Sequence, residues 1–173
     1  MAMELELRRL HAANISEEQM SALTGVVLAA PAYSLLVEGR LPVAEEVPDL
    51  LSDLPPNYSY DDKYFFGIYQ GERMIGCADL LKGWKTPQQS MLGLLLFAED
   101  VRGQGYGRQV YLKLEQIVAS WPGMNSIRIG VISTNLGGLA FWRKMGFAEN
   151  GERYKFEQYL GDTVILEKAL SSG

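Results

Sequence analysis

The sequence predicts an α/β or α+β fold built on a mixed β-sheet, and three observations carry that prediction. Two β-rich runs, 64–69 and 73–81, flank Gln70-Gly71-Glu72, which is a hairpin signal. The chain from residue 90 onward reads strand, loop, helix, strand, helix, strand, strand, an order that builds one sheet with helices packed on it. At 173 residues and 47% hydrophobic content the chain is one domain's worth, 1–173, with enough apolar side chain to bury a sizeable core.

The elements follow in order. Residues 4–10 alternate charged and apolar side chains in the strand manner. Ser16-Glu17-Glu18-Gln19 has the capping-box pattern, opening a helix through about Ala29 that stops near Pro31. Residues 32–60 carry Pro42, Pro48, Pro55 and Pro56 and form the least regular third, with a short helical candidate at 45–53. After the hairpin and a loop at 83–89, residues 90–97 are nearly all apolar and read as a buried strand with both faces covered. A glycine-rich loop, 98–107, feeds a helix with Val110, Leu114, Ile117, Val118 and Trp121 on one face, stopped by Pro122-Gly123. A strand at 126–132 and a helix at 135–145 follow, the helix ending at Gly146. Strands at 154–160 and 163–168 pair across Gly161-Asp162.

Charge and cysteine content narrow the function classes. Sixteen Lys and Arg against 21 Asp and Glu give a net charge of −5, which opposes broad binding to nucleic acid or to an anionic membrane. Any anion must be held by a local device. The lone Cys77 rules out an internal disulfide and a cysteine-rich metal site, so the expectation is a reducing, cytoplasmic protein without metal. The N-terminus lacks a signal-peptide apolar stretch, and no apolar run approaches the roughly 20 residues that span a bilayer.

The local device is Arg102-Gly103-Gln104-Gly105-Tyr106-Gly107. Glycines between a buried strand and a helix start let consecutive N–H groups converge on one anion, and the helix N-terminus adds partial positive charge. The same glycines also suit a tight strand-to-helix turn with no ligand. Two nucleotide motifs fail: no Lys-Ser or Lys-Thr follows as in a P-loop, and G-x-G-x-G is not the dinucleotide-binding G-x-G-x-x-G.

Arg102-x-x-Gly105-x-Gly107 resembles the [Q/R]-x-x-G-x-[G/A] signature of the GNAT superfamily of acyl-CoA-dependent N-acetyltransferases. The stretch from Asn135 through Gly138, Phe141, Trp142, Lys144 and Gly146-Phe147 is similar to that family's later N-x-x-A-x-x-[FL]-[YW]-x-K-x-GF segment. Together the two motifs imply a GNAT-like fold with a mixed central sheet of about six to seven strands and about four helices. They imply an acyl-CoA-binding core at about 90–147 and transfer of an acetyl group from acetyl-CoA to a small-molecule amine. Homodimers are frequent among such proteins.

Carried onto this sequence, the resemblance implies that backbone amides over Arg102, Gly103, Gln104, Gly105, Tyr106, Gly107 and Arg108 wrap the coenzyme A pyrophosphate. The pantetheine would lie between Leu95, Leu96 and Phe97 and the strand at 126–132, with the N–H near Leu95 facing the acetyl carbonyl as an oxyanion donor. Asn135 would meet the pantetheine, or serve as a helix N-cap. Lys144 and Arg108 would meet phosphates, or simply be solvated cations. Where many members have a Tyr acid, this chain has Trp142, whose indole N–H is not a useful acid. Trp142 is expected against the cofactor or in the core.

For the general base, Asp79 on the strand before the apolar run can draw a proton from an ammonium, directly or through water. Tyr106 and Tyr111 are further polar candidates near the loop, Tyr111 also suiting helix packing. Cys77 reads as a core residue and His11 as a surface one. The segment 53–63, with Tyr58 and Tyr60, offers a wall for a cationic acceptor. The alternative from another class is a non-catalytic acyl-CoA sensor that kept the pocket and lost its acid.

Overall fold

The computed structural model of the chain describes residues 4–171. Seven strands form one sheet in the order β1-β2-β3-β4-β5-β7-β6. They are β1 (Glu6–Leu10), β2 (Lys63–Gln70), β3 (Arg73–Leu81), β4 (Gln89–Phe97), β5 (Ser126–Ile132), β6 (Ala148–Tyr154) and β7 (Thr163–Ala169). All neighbours run antiparallel except β4 and β5, whose parallel pairing requires a crossover. The amphipathic helix α4 (Tyr106–Ser120) provides it. The remaining helices are α1 (Glu17–Leu28), α2 (Pro31–Glu38), α3 (Val47–Ser52) and α5 (Leu136–Lys144).

Alternating side chains divide the core between the two faces of the sheet. On one face Phe66, Ile68, Leu92 and Ile129 pack with Val110, Tyr111, Leu114 and Val118 of α4 and with Leu139 of α5. On the other, Phe65, Tyr69, Cys77 and Leu96 pack with Leu23 and Val26 of α1 and Val47 and Leu51 of α3. A register shift in β3–β4 pairs Asp79 with Leu94 but Leu80 with Leu92, leaving Gly93 as an extra residue. That bulge changes which face β4's side chains take. Leu92 lies in the α4 cluster, whereas Leu94 packs with the α1 cluster.

The capping box at the start of α1 is present, with Ser16 Oγ accepting from the Gln19 amide at 3.0 Å and the Gln19 side chain accepting from the Ser16 amide at 3.0 Å. Three expectations need correction. Pro31 does not open an irregular stretch; it sits at the first position of α2, where a missing N–H costs nothing. The helix has no local side-chain cap, and its Ala32 amide donates at 2.7 Å to the Glu99 carboxylate, which arrives from the β4–α4 connection. This fifth helix is absent from the expected four.

The second correction concerns the strand expected at 154–160. The partner of β7 is instead β6, and residues 155–162 form a loop whose Leu160 amide donates to the Val37 carbonyl at 2.8 Å. β6 reads Ala-Glu-Asn-Gly-Glu-Arg-Tyr and is an exposed edge strand with charged side chains, so it carries no apolar alternation. Third, β4 is not covered on both faces along its whole length. Its pairing with β5 ends at Leu92–Ile129, and Gly93 is exposed while Leu94 and Leu95 are only half-buried.

Candidate active site

Where β4 and β5 part, the sheet opens into a cleft of about 560 Å³. One wall is the backbone of β4 from Leu92 to Phe97, and the opposite wall is β5 from Ile129 to Ile132. Beyond Leu92 the β5-facing amides and carbonyls of β4 have no partner strand, so they are free to bond a ligand lying in the gap. Ala32, Tyr33 and Leu36 of α2 form a roof. Thr134 Oγ1 holds that roof down by donating to the Leu36 carbonyl at 2.7 Å.

The cleft ends at the glycine loop. Gly103 and Gly105 both have φ of +80°, a left-handed conformation that turns the chain from β4 into α4. A Cβ at Gly103, Gly105 or Gly137 would meet nothing within 4 Å, so these glycines leave unfilled space rather than relieving a clash. α4 begins without a side-chain cap, which leaves its first amides unpaired and facing the cleft with the helix's partial positive charge. Arg102 and Arg108 line the same end and are exposed, and neither takes part in an ion pair among the described residues. Backbone donors, a helix N-terminus and two unpaired cations fit the diphosphate of a nucleotide-bearing ligand.

Of the residues expected in a cofactor site, Leu95, Leu96, Phe97, Arg102, Gly103, Gly105, Tyr106, Gly107, Arg108, Asn135 and Trp142 line the cleft. Gln104 and Lys144 do not: Gln104 is exposed between two left-handed glycines, and Lys144 is exposed in the last turn of α5. Asn135 is an N-cap, its Oδ1 accepting from the Gly138 amide at 2.9 Å while it borders the cleft. Trp142 meets Tyr111, Phe141 and Phe147 edge to face, so its ring is both core and cleft wall. Tyr111 is fully buried and its hydroxyl has no partner, so burial pushes it up and it stays a protonated core phenol. The Tyr106 hydroxyl accepts from Gln70 Nε2 at 2.8 Å.

On the α1 and α3 side of the sheet, a smaller cavity of about 260 Å³ adjoins the bulge. Gly93 lines both spaces, and a Cβ built there would lie 3.9 Å from Asp79 Oδ2. Lys63, 7% exposed, donates at 3.0 Å to Asp79 Oδ2 and at 3.0 Å to the Asp53 carbonyl. Asp79 Oδ1 is buried with no partner. Burial therefore raises the Asp79 carboxyl above the usual range, and the Lys63 ammonium opposes this only in part. Asp53, Leu54 and Pro55 of the expected acceptor wall line this cavity. Tyr58 and Tyr60 do not; their hydroxyls donate to the carbonyls of Gly83 and Ser52. Cys77 is fully buried, and burial pushes its thiol up to about 12, so it is an inert core residue.

Tyr33 escaped the sequence reading because it fell in the stretch expected to be irregular. In the cleft roof, burial pushes its phenol up to about 12, with Tyr159 and Glu38 adding to the shift. Its hydroxyl therefore remains a donor at neutral pH. Among the described residues no group of three or more His, Cys, Asp and Glu side chains is placed to hold a metal ion.

The comparisons with known proteins converge on one family. The model of the acetyltransferase (GNAT) family matches residues 31–147. An acetyltransferase from Thermus thermophilus superposes with a TM-score of 0.75 at 25% identity, over 98% of this chain and 99% of that one. PaiA N-acetyltransferase from Thermoplasma acidophilum, solved in complex with coenzyme A, gives 0.65 at 19% identity over 96% and 99%. The ribosomal-protein-S18-alanine N-acetyltransferase from Escherichia coli gives 0.67 at 15% identity over 98% and 96%. No curated protein matches the sequence.

Proposed function

We propose, because this chain belongs to the acetyltransferase (GNAT) family, that it transfers an acetyl group from acetyl-CoA to the amine of a small molecule by direct attack in a ternary complex. The observation that carries this reading is the parting of β4 and β5 beyond Leu92, which joins a diphosphate-suited loop at one end to a carboxylate beside Gly93 at the other. When bound, acetyl-CoA supplies a thioester whose carbonyl carbon forms the new C–N bond as the C–S bond breaks and its electron pair leaves on sulfur. The amides over 102–108 and the guanidinium groups of Arg102 and Arg108 hold its phosphates. The β5-facing amides and carbonyls of the stretch Leu95, Leu96 and Phe97 hold the extended arm, and the Leu95 amide serves as the donor toward the carbonyl oxygen.

Asp79 takes the proton of the incoming ammonium, directly or through one water, at Oδ2, the oxygen beside Gly93. Its raised carboxyl pKa suits that role, because a base is more effective as its pKa approaches the working pH. Tyr33 acts as a hydrogen-bond donor in the cleft rather than as an acid. A phenol of pKa about 12 does not surrender its proton at equilibrium to a thiolate whose own pKa is about 8.5. As the C–S bond breaks, the attacking nitrogen sheds its second proton to solvent, and the thiolate leaves as an anion and takes up a proton from solvent.

The test follows free thiol while purified protein is mixed with acetyl-CoA and a panel of primary amines. Thiol release that requires both substrates is expected. Tight coenzyme A binding without turnover across the panel would instead make the protein an acyl-CoA sensor.

A further inference from the structure

We propose that the cavity at the β4 bulge is the acceptor subsite and that it selects a compact primary alkylamine, a monocation with an aliphatic body and no carboxylate beside the nitrogen. This rests on the acetyl-transfer reading above. Two observations make it a site rather than a surface dimple. Gly93 has no Cβ although neither packing nor a left-handed φ demands a glycine: the nearest atoms to an added Cβ lie at 3.9 Å, an ordinary contact. Its missing side chain leaves open the place where cavity and cleft meet. In addition, the partly exposed Asp79 carboxylate lines the cavity and sets Oδ2 beside the Gly93 gap, where an ammonium can reach it.

Charge and volume define the ligand. Asp53 and Asp79 against Lys63 leave the lining with one net negative charge, which one ammonium balances. Lys63 is committed to Asp79 and to the Asp53 carbonyl, so a second carboxylate on the ligand would find no free cation there and would face two aspartates. The rest of the lining includes Leu54, Pro55, Leu81 and Met91, which suit methylenes and offer no side-chain partner to a peptide backbone. A cavity of about 260 Å³ has room for about nine water-sized groups. Met91 sets the limit on the sheet side. Its methyl group lies 3.8 Å from a Cβ built on Gly130, a residue of the cleft wall, so its flexible side chain partitions the two spaces.

The experiment uses n-alkylamines of two to eight carbons and the α-amino acids of matching chain length, with saturating acetyl-CoA. The expected kcat/KM rises by about fourfold for each added methylene until the cavity is filled and then falls. Each α-amino acid is expected to be at least about tenfold poorer than its alkylamine. Met91→Ala moves the optimum to longer amines and Met91→Phe to shorter ones. Equal use of amino acids and alkylamines, or a chain-length optimum that neither variant moves, overturns the assignment. Calorimetry with butylamine on the coenzyme A-saturated protein separates the two readings. Binding that Met91→Phe weakens, without thiol release, supports the subsite and overturns the transfer reading; neither binding nor release overturns both.

Discussion

Replacing Lys63 by Met leaves Asp79 with one oxygen newly unpaired and the other already so. Removing one partner of a buried ion pair costs about 3 to 5 kcal/mol, and the low end applies because the Asp79 side chain keeps 24% of its exposure. The expected loss at pH 8 is therefore about 3 kcal/mol, or about 9 °C in Tm for a chain of this length. Its pH dependence is the sharper quantity. With the opposing ammonium gone, burial and the nearby Asp53 carboxylate both push Asp79 up, so its folded pKa rises further above its unfolded value. The folded state then binds more protons than the unfolded one between those two pKa values, so stability falls as pH rises through that window. The penalty is complete above the raised pKa and small below about pH 4, the unfolded carboxyl value. Urea unfolding of the parent, Lys63→Met, Asp79→Asn and the double variant at pH 4, 6 and 8 measures it. The double variant should recover most of the loss, since no charge is then left buried. An identical loss for Lys63→Met at pH 4 and pH 8 would refute the reasoning, because the cost would be lost packing and not an uncompensated carboxylate.

Three other outcomes are expected. Gly105→Glu places a side chain where no protein atom lies within 4 Å, and should abolish coenzyme A binding by calorimetry while keeping a cooperative unfolding transition; unchanged affinity would reduce the loop to a turn. Tyr33→Phe should lower kcat by about tenfold, the value of one hydrogen bond to a developing charge, with KM for acetyl-CoA held; an unchanged kcat removes Tyr33 from the reaction. Glu152, held at about 2 by Arg128, Tyr154 and Asn150, contributes stability that is present above the ordinary carboxyl pKa and lost as pH falls toward 2. The Tm gap between parent and Glu152→Gln should therefore close between pH 5 and pH 2, and a constant gap would contradict the assignment.

Much of the site could be read from the sequence because its chemistry is carried by backbone and by local pattern. Glycines at 103 and 105 with an apolar strand before them and an amphipathic helix after them specify a loop rich in free amides wherever they occur. Asn135 two residues before Gly137-Gly138 marks a helix start by the same local logic. Asp79 was recognisable as an acid on a strand, but its raised pKa was not, since that comes from burial in the folded chain, which Lys63 on the neighbouring strand offsets only in part.

Sequence by itself determined the alternation of strands with helices, the mixed character of the sheet and the glycine loop at one end of the cleft, all of which depend on residues close together in the chain. Tertiary structure alone decided the rest. The Glu99 carboxylate caps α2 from 67 residues away and so brings Tyr33 over the cleft. β6 is set by pairing with β7 and not by any pattern of its own. Whether Gly93 is an ordinary strand residue or the gap between two cavities depends on a one-residue slip against β3. Period-two alternation is blind to such a slip, because the bulge exchanges the faces of the sheet without changing a single residue.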